Sequence, residues 1–211
     1  MPRTARIVIP GVPHHITQRG NSGQPVFLDD EDRETYLALL RQYAQKHDLR
    51  VLGYCLMTNH VHIVAIPGAE TALANAVGLT HQLYTTYFHD KVQGNGHLWQ
   101  SRFFSCPMDE EHTINALAYA ELNPVRAGMA AWPDRYQWSS ARAHIGRCPD
   151  TILDLERWFQ HVSTESWRQT WEDVQRKPAV SATIRRYTKR GTPLGRDEKF
   201  LERVKAWQER N

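Results

Sequence analysis

The chain has 211 residues, of which 41% are hydrophobic and 23% are charged, a composition typical of a globular protein. Its apolar stretches are far shorter than the ~20 residues of a membrane helix, and its N-terminus lacks the apolar core of a secretion signal. Three widely spaced cysteines suit a reducing compartment. We therefore expect a cytoplasmic protein of one domain, or one domain with an appendage, and no membrane partner.

The net charge of +3 is unevenly distributed along the chain. Residues 181–211 carry nine Lys or Arg against four Asp or Glu, whereas the other 180 residues carry 17 against 19. A basic tail on a near-neutral body indicates a polyanionic partner, most often nucleic acid, which would place the protein at the nucleoid. The alternative is a solvated basic helix without a partner.

Hydrophobic periodicity divides the first 130 residues into alternating strand-like and helix-like segments. Apolar and β-branched residues predict a strand over 5–21, and an acidic start with an apolar stripe predicts a helix over 28–49. Two apolar runs with a short gap predict a β-hairpin. The predicted segments are, in order, strand 5–21, helix 28–49, strands 50–58 and 60–67, helix 71–92, loop and strand 94–109, and helix 109–128.

The order β-α-β-β-α-β predicts an α+β protein with a ferredoxin-like antiparallel sheet and helices on one face. The third predicted helix would then lie across or beside the sheet. After about residue 150 the pattern becomes helical and rich in tryptophan (Trp158, Trp167 and Trp171) before the basic tail. We therefore divide the chain into residues 1–148 and a helical, basic C-terminal extension, 149–211.

Two histidines interrupt the apolar run "CLMTNHVHIVAIP". His60 and His62 are two positions apart, so on a strand both imidazoles point to the same face. Two neutral imidazoles so placed can share a divalent cation. The alternative is a pair of half-buried, hydrogen-bonded histidines.

A tyrosine and an asparagine follow in "YAELNP". On a helix, Tyr119 and Asn123 lie at i and i+4 and face the same side, so a phenol would sit one turn from an amide oxygen. A core tyrosine and a helix-capping asparagine are the structural alternative.

With these residues the chain resembles the HUH single-tyrosine transposases, which are IS200-like, and more closely the REP-associated tyrosine transposases. The matching stretches occur in the family's order and cover residues 6–146 almost without a gap. "GTPLG" and the short helix after it are similar to the tail of the longer members. The five stretches are "HHITQRGN", "CLMTNHVHIV", "GHLWQSRF", "YAELNPVRAG" and "YQWSSARAHIG".

The resemblance implies cleavage and rejoining of single-stranded DNA by residues 1–148. His60 and His62 would hold Mg²⁺ or Mn²⁺ against the scissile phosphate, with Asn123 at the position of a third metal ligand. Tyr119 would attack the phosphorus, leaving a 5′-phosphotyrosine and a free 3′-hydroxyl. Ligand softness by itself favours zinc or manganese, so the choice of Mg²⁺ or Mn²⁺ rests on the resemblance.

Several residues are candidates for holding DNA, including the hairpins formed by repetitive extragenic palindromes. Arg19 and Arg102 can contact phosphate or stack on a base, Trp99 can stack, and Gln100 can read a base edge. Arg126 can clamp the phosphate or pair with helix carbonyls. Surface ion pairs for the arginines and core packing for Trp99 are the alternatives. The candidates in the basic tail are Arg185, Arg186, Lys189 and Arg190.

Two other functions remain open from the sequence: a DNA-binding regulator that kept the fold without the chemistry, and a metal-dependent hydrolase that uses water. The second leaves Tyr119 without a role. The resemblance also implies a monomer, although insertion-sequence relatives are dimers in which the partner supplies the tyrosine helix, so a dimer stays open.

Overall fold

The computed structural model describes residues 6–155 and 163–210, so Trp158 lies outside the described residues. Four strands form one antiparallel sheet: β1 His14–Arg19, β2 Leu49–Met57, β3 His60–Pro67 and β4 Phe104–Pro107. The strand order is β2-β3-β1-β4. Helix α1 (Asp30–Lys46) joins β1 to β2, and helix α2 (Leu79–Val92) joins β3 to β4. The predicted α+β, ferredoxin-like fold is confirmed.

Strand β1 begins at His14, whereas the apolar pattern predicts a strand from residue 5. Gly11 has a φ of +72°, which is a left-handed conformation that breaks an extended strand. Pro10 and Pro13 flank it and lack the N–H groups that a sheet ladder needs. The prediction from apolar character alone therefore made this strand too long, because apolar character does not show which residues can donate hydrogen bonds.

The β2–β3 hairpin forms as predicted and sets the register of the two histidines. Thr58 and Asn59 make the turn, and Met57 faces His60 across it. His62 faces Cys55 on β2 on one side and Thr17 on β1 on the other. Strand β3 is thus a central strand, and the side chains of residues 60, 62, 64 and 66 share one face of the sheet.

Helices α1 and α2 cover the face opposite the histidines. Asp29 caps α1 through a capping box with Asp32, which satisfies free N–H groups at the first turn. The core beneath these helices is continuous and includes Tyr36, Leu40 and Tyr84, all fully buried.

The face that carries the histidines is covered by helix α3 (Glu110–Glu121) and by helices near the C-terminus, α6 Thr164–Arg176 and α7 Pro178–Arg190. The third predicted helix therefore packs on the second face of the sheet. Gly53 allows this approach, because a Cβ there would lie 2.4 Å from Leu117 Cδ2. Two short helices, α4 Asn123–Arg126 and α5 Ala141–His144, follow α3.

The last helix, α8 (Glu198–Gln208), packs against the segment before β1. Phe200 and Val204 on α8 form a small separate core with Ile9 and Val12. Within residues 6–155 and 163–210, none of the helices has the length and apolar character that crossing a membrane requires.

Candidate active site

His60 and His62 lie side by side on β3, and their ring centroids are 5.0 Å apart. Both Nδ1 atoms are engaged by the protein. His60 Nδ1 is 2.7 Å from Asn59 Oδ1, and His62 Nδ1 is 2.9 Å from His15 Nε2. Among the described residues, neither Nε2 atom has a hydrogen-bond partner. The two imidazoles therefore present the same nitrogen, Nε2, for a ligand.

His15 on β1 connects His62 to the C-terminal part of the chain. It faces Val64 across the sheet, which makes His62 its diagonal neighbour. The His15 and His62 rings are parallel within 4° at a centroid distance of 5.2 Å. The other His15 nitrogen, Nδ1, is 2.7 Å from Thr188 Oγ1 on α7. His15, which lies within the stretch "HHITQRGN", thus contacts a predicted metal ligand directly.

Burial keeps these imidazoles neutral. It lowers the pKa of His60 to about 4, with a smaller effect of Arg19, and lowers that of His15 to about 3. Burial also lowers the pKa of His62 well below its ordinary value, and the neighbouring His60 adds to this. A neutral imidazole is the form that binds a metal ion. In the described part of the chain, no group of three or more His, Cys, Asp or Glu is arranged to hold a metal.

Tyr119 lies on the last turn of α3, on the side of the sheet that carries the histidines. Its ring meets His62 edge-on, at a centroid distance of 5.4 Å and an interplanar angle of 90°. The side chain is 4% exposed, and the Arg126 guanidinium lies 4.5 Å from the ring centroid. The tyrosine is thus beside the histidines and beneath an arginine.

Burial and neighbouring groups shift the pKa of the Tyr119 phenol in opposite directions. Burial raises its pKa, whereas the positive charges of Arg126 and Arg185 and the amide of Asn123 act to lower it, and burial is the larger effect. The two arginines favour the phenolate, which is the nucleophilic form.

Asn123 does not continue the helix that carries Tyr119. Helix α3 ends at Glu121, and Asn123 begins α4 because Pro124 cannot extend the hydrogen-bonding pattern of α3. The Asn123 amide nitrogen instead donates to the carbonyls of Tyr119, at 3.1 Å, and Ala120, at 3.3 Å. The predicted i, i+4 pair on one helix is therefore wrong, although the two residues remain in contact. The Oδ1 atom is left for other partners.

Arg19 is the last residue of β1, Gln100 and Arg102 lie on the loop before β4, and all three are exposed. The Gln100 N–H donates to the Arg19 carbonyl at 2.9 Å, which joins this loop to the end of β1, and Arg19 faces His60 in the sheet register. Trp99 is half-buried: its Nε1 donates to the His81 carbonyl, and its ring packs on His81 at 4.7 Å. The structure thus brings Arg19 and Gln100 to the rim of the site, while Trp99 packs in an aromatic cluster.

The predicted basic residues of the tail lie on α7, which crosses the same face as the site. Ser181, Ile184 and Thr188 form its buried side. Arg126 donates to Ser181 Oγ at 3.3 Å and to the Tyr119 carbonyl. The exposed side carries Arg185, Arg186, Lys189 and Arg190.

Two residues of the site were missed from the sequence. Thr188 is 173 positions from His15, and no local pattern connects them. Asn59 directly precedes His60. Its amide side chain, next to the histidine pair in the sequence, was a signal from which this contact could have been predicted. It also donates to the Gly23 carbonyl at 3.1 Å, which holds the hairpin turn in place.

A ferredoxin-like sheet with paired histidines and a tyrosine-bearing helix on one face is the arrangement expected of a single-tyrosine transposase. The family model described as "Transposase IS200 like" matches residues 11–123, which are 113 of the 211 residues. The chain belongs to the IS200-like transposase family. Among curated proteins, none matches the sequence.

Two solved structures are similar in fold. One is described as a REP-associated tyrosine transposase bound to a REP hairpin, with a TM-score of 0.55 and 13% identity over 72% of this chain and 90% of that one. The other, a putative transposase from Deinococcus radiodurans, has a TM-score of 0.41 and 16% identity over 61% of this chain and 98% of that one. At these identities the first structure supports the fold.

Proposed function

We propose that this protein is a metal-dependent endonuclease and strand transferase for single-stranded DNA, which cleaves at or near palindromic hairpins through a 5′-phosphotyrosine. The observation that carries the proposal is the position of Tyr119, whose ring meets His62 edge-on at 5.4 Å on the face where His60 and His62 present free Nε2 atoms. A nucleophile and two neutral nitrogen ligands thus adjoin one space.

The donor set fits a divalent cation. His60 and His62 would bind it through Nε2, since both Nδ1 atoms are already engaged, and Asn123 Oδ1 would be the third protein ligand. Mg²⁺ or Mn²⁺, completed by phosphate oxygens of the DNA, would supply charge stabilisation at the phosphate. Two imidazoles are few protein ligands for such an ion, so we expect weak binding without DNA.

The proposed reaction exchanges one phosphoester bond for another. The Tyr119 oxygen attacks phosphorus and forms the tyrosyl–phosphate bond, while the bond from phosphorus to the 3′-oxygen breaks. The phenol loses its proton and the departing 3′-oxygen gains one, which gives a 3′-hydroxyl. The positive charges of Arg126, which lies over the ring, and of Arg185 favour loss of the phenol proton. Because the ester energy is kept, attack by another 3′-hydroxyl reseals a strand without ATP.

DNA would approach over the exposed side of α7. We assign Arg126, whose guanidinium lies over the Tyr119 ring, to phosphate contact. The similar solved structure is described as bound to a REP hairpin, and we propose hairpin DNA as the partner here. The other proposed contacts are Arg19, Trp99, Gln100, Arg102, Arg185, Arg186, Lys189 and Arg190, with residues 149–211 acting as a DNA-binding extension.

A non-catalytic, structure-specific DNA-binding protein is the second candidate, because the 4% exposure of Tyr119 is also what a packing tyrosine would have. The two functions differ in whether a covalent bond to DNA forms.

We predict that a DNA hairpin with a single-stranded flank, incubated with Mg²⁺ or Mn²⁺, gives a protein–DNA adduct that survives denaturing electrophoresis. Because the tyrosine keeps the 5′-phosphate, a label at the 3′ end should migrate with the protein, and a label at the 5′ end should appear in a free fragment. Tyr119→Phe should abolish the adduct.

The matched control is Tyr84→Phe, which removes a hydroxyl that is equally buried and bonded to the Val26 carbonyl on the other side of the sheet. This variant should still form the adduct. Hairpin binding without an adduct in the wild type would favour the non-catalytic protein. Cleavage that persists in Tyr119→Phe would indicate a hydrolase that uses water.

A further inference from the structure

A chain of hydrogen bonds runs from the C-terminal helix α7 to a proposed metal ligand. Thr188 Oγ1 is 2.7 Å from His15 Nδ1, and His15 Nε2 is 2.9 Å from His62 Nδ1. The side chains are 1%, 1% and 5% exposed for Thr188, His15 and His62, so water does not compete for these bonds. The three residues come from α7, β1 and β3.

The direction of these bonds follows once His62 binds a cation. A cation at Nε2 leaves Nδ1 as the only ring nitrogen that can carry the proton, so His62 Nδ1–H donates to His15 Nε2. His15 Nε2 must then accept, which puts the His15 proton on Nδ1, from where it donates to Thr188 Oγ1. The cation thus sets the tautomer of His62 and, through it, that of His15, and the threonine hydroxyl stabilises this arrangement by accepting the His15 Nδ1 proton.

The second proposed ligand has an equivalent partner. Asn59 Oδ1 lies 2.7 Å from His60 Nδ1, and an amide oxygen can only accept, so His60 also carries its proton on Nδ1. Asn59 is itself held through the Gly23 carbonyl. Both imidazoles are thereby oriented by a polar group behind them, which is the usual arrangement of metal-binding histidines.

We propose that Thr188 and His15 are positioning residues for metal binding at His62, so that helix α7 is part of the metal site as well as a surface for DNA. This inference rests on the proposed function, in that His62 must bind a divalent cation. It assigns a role to two residues that touch neither the cation nor the DNA.

The test compares Thr188→Val, which keeps the side-chain shape but removes the hydroxyl, with Thr188→Ser, which keeps the hydroxyl. Mn²⁺ binding to the full chain without DNA is followed by the loss of the electron paramagnetic resonance signal of free Mn²⁺. Thr188→Val should weaken binding about 10-fold, and Thr188→Ser should bind within about 2-fold of the wild type. Ser181 and Ile184 still anchor α7, so both variants should fold.

Thr80→Val is the matched control, since Thr80 is a fully buried helical threonine whose hydroxyl donates to the Ala76 carbonyl, one turn earlier in the chain. It should bind Mn²⁺ as the wild type does. A second readout is the ¹⁵N spectrum of the histidines during a Mg²⁺ titration, in which His15 and His62 should both become protonated at Nδ1 in the wild type, and Thr188→Val should reach this state only at a higher Mg²⁺ concentration.

Wild-type affinity in Thr188→Val, or equal loss in Thr188→Ser, would overturn the positioning role and leave the proposed function intact. Unchanged Mn²⁺ binding in His62→Ala would overturn both, because the cation would then bind elsewhere.

Discussion

Histidines buried as neutral side chains are the most prominent feature of this protein at the scale of single residues. Besides the site, burial lowers the pKa of His14 to about 4 and that of His81 to about 3. His81 lies on α2, in the core opposite the site. Its Nε2 is 2.8 Å from the hydroxyl of Tyr36 in the aromatic core. Such residues are protonated readily only when the chain unfolds, since water then reaches the ring.

We predict that acid destabilises the protein through these histidines. The unfolded-state pKa is about 6.5 and the folded-state pKa of His81 is about 3, so stability is full above pH 6.5 and is lost as the pH falls towards 3. At pH 5 the loss from His81 is about 2 kcal/mol. Urea unfolding at pH 7.5 and 5.0 measures it, and His81→Gln should reduce the difference between the two pH values by that amount.

The control for this prediction is His97→Gln, at an exposed position outside the core. It should leave the pH dependence of the unfolding free energy unchanged. If the unfolding free energy of His81→Gln depended on pH as strongly as that of the wild type, His81 would not become protonated on unfolding in acid.

At the scale of elements, one buried carboxylate connects the helices on the site face. Glu121, two residues after Tyr119, accepts from Ser140 Oγ at 2.6 Å, and the same carboxylate oxygen lies 2.5 Å from His144 Nδ1. Its second oxygen accepts from the indoles of Trp167, at 2.9 Å, and Trp171, at 2.8 Å. Since Glu121 is fully buried, the carboxylate depends on these donors, and α6 is attached to the helix that carries Tyr119.

We predict that Glu121→Ala destabilises the protein by about 3 to 5 kcal/mol, because it leaves several buried donors without an acceptor. Urea unfolding followed by circular dichroism measures the change. Glu34→Ala, at an exposed position within α1, should change the unfolding free energy by less than about 0.5 kcal/mol. A loss below about 1 kcal/mol in Glu121→Ala would mean that the donors find water or other acceptors.

At the scale of the whole molecule, both edges of the sheet are covered by the chain itself. Along β2, the Leu56 N–H donates to the Trp138 carbonyl, and the Ser140 N–H donates to the Tyr54 carbonyl. Along β4, the Leu194 N–H donates to the Pro107 carbonyl at 2.9 Å. Exposed edge strands are the usual sites of strand pairing between subunits. Here the backbone N–H and C=O groups at these points are already hydrogen-bonded within the chain.

We therefore predict that the protein is a monomer, alone and with a hairpin bound. Sedimentation equilibrium of the free protein over a range of concentrations should give a mass near 24.4 kDa. A mass twice this value that depends on concentration would indicate a dimer, and would reopen the possibility that one subunit supplies Tyr119 to its partner. The monomer predicts instead that mixing Tyr119→Phe with His62→Ala restores no adduct.

Local patterns in the sequence were sufficient for the hairpin, for α1 with its acidic start, and for the order of strands and helices. Each depends on interactions between residues a few positions apart, such as the shared face of His60 and His62. Where a local rule was incomplete the prediction was wrong, as at Gly11, where β1 does not yet begin, and at Asn123, which Pro124 separates from α3.

The sequence by itself determined the order of elements and the paired histidines, because these follow from periodicity and spacing along the chain, and its motifs carry the resemblance to the family. Only the tertiary structure decided what surrounds them: Tyr119 against His62, Thr188 behind His15, and Trp99 packed on His81. Contacts between residues so far apart depend on how the helices pack on the sheet. Burial then decides which imidazoles stay neutral, since removal from water disfavours the charged form.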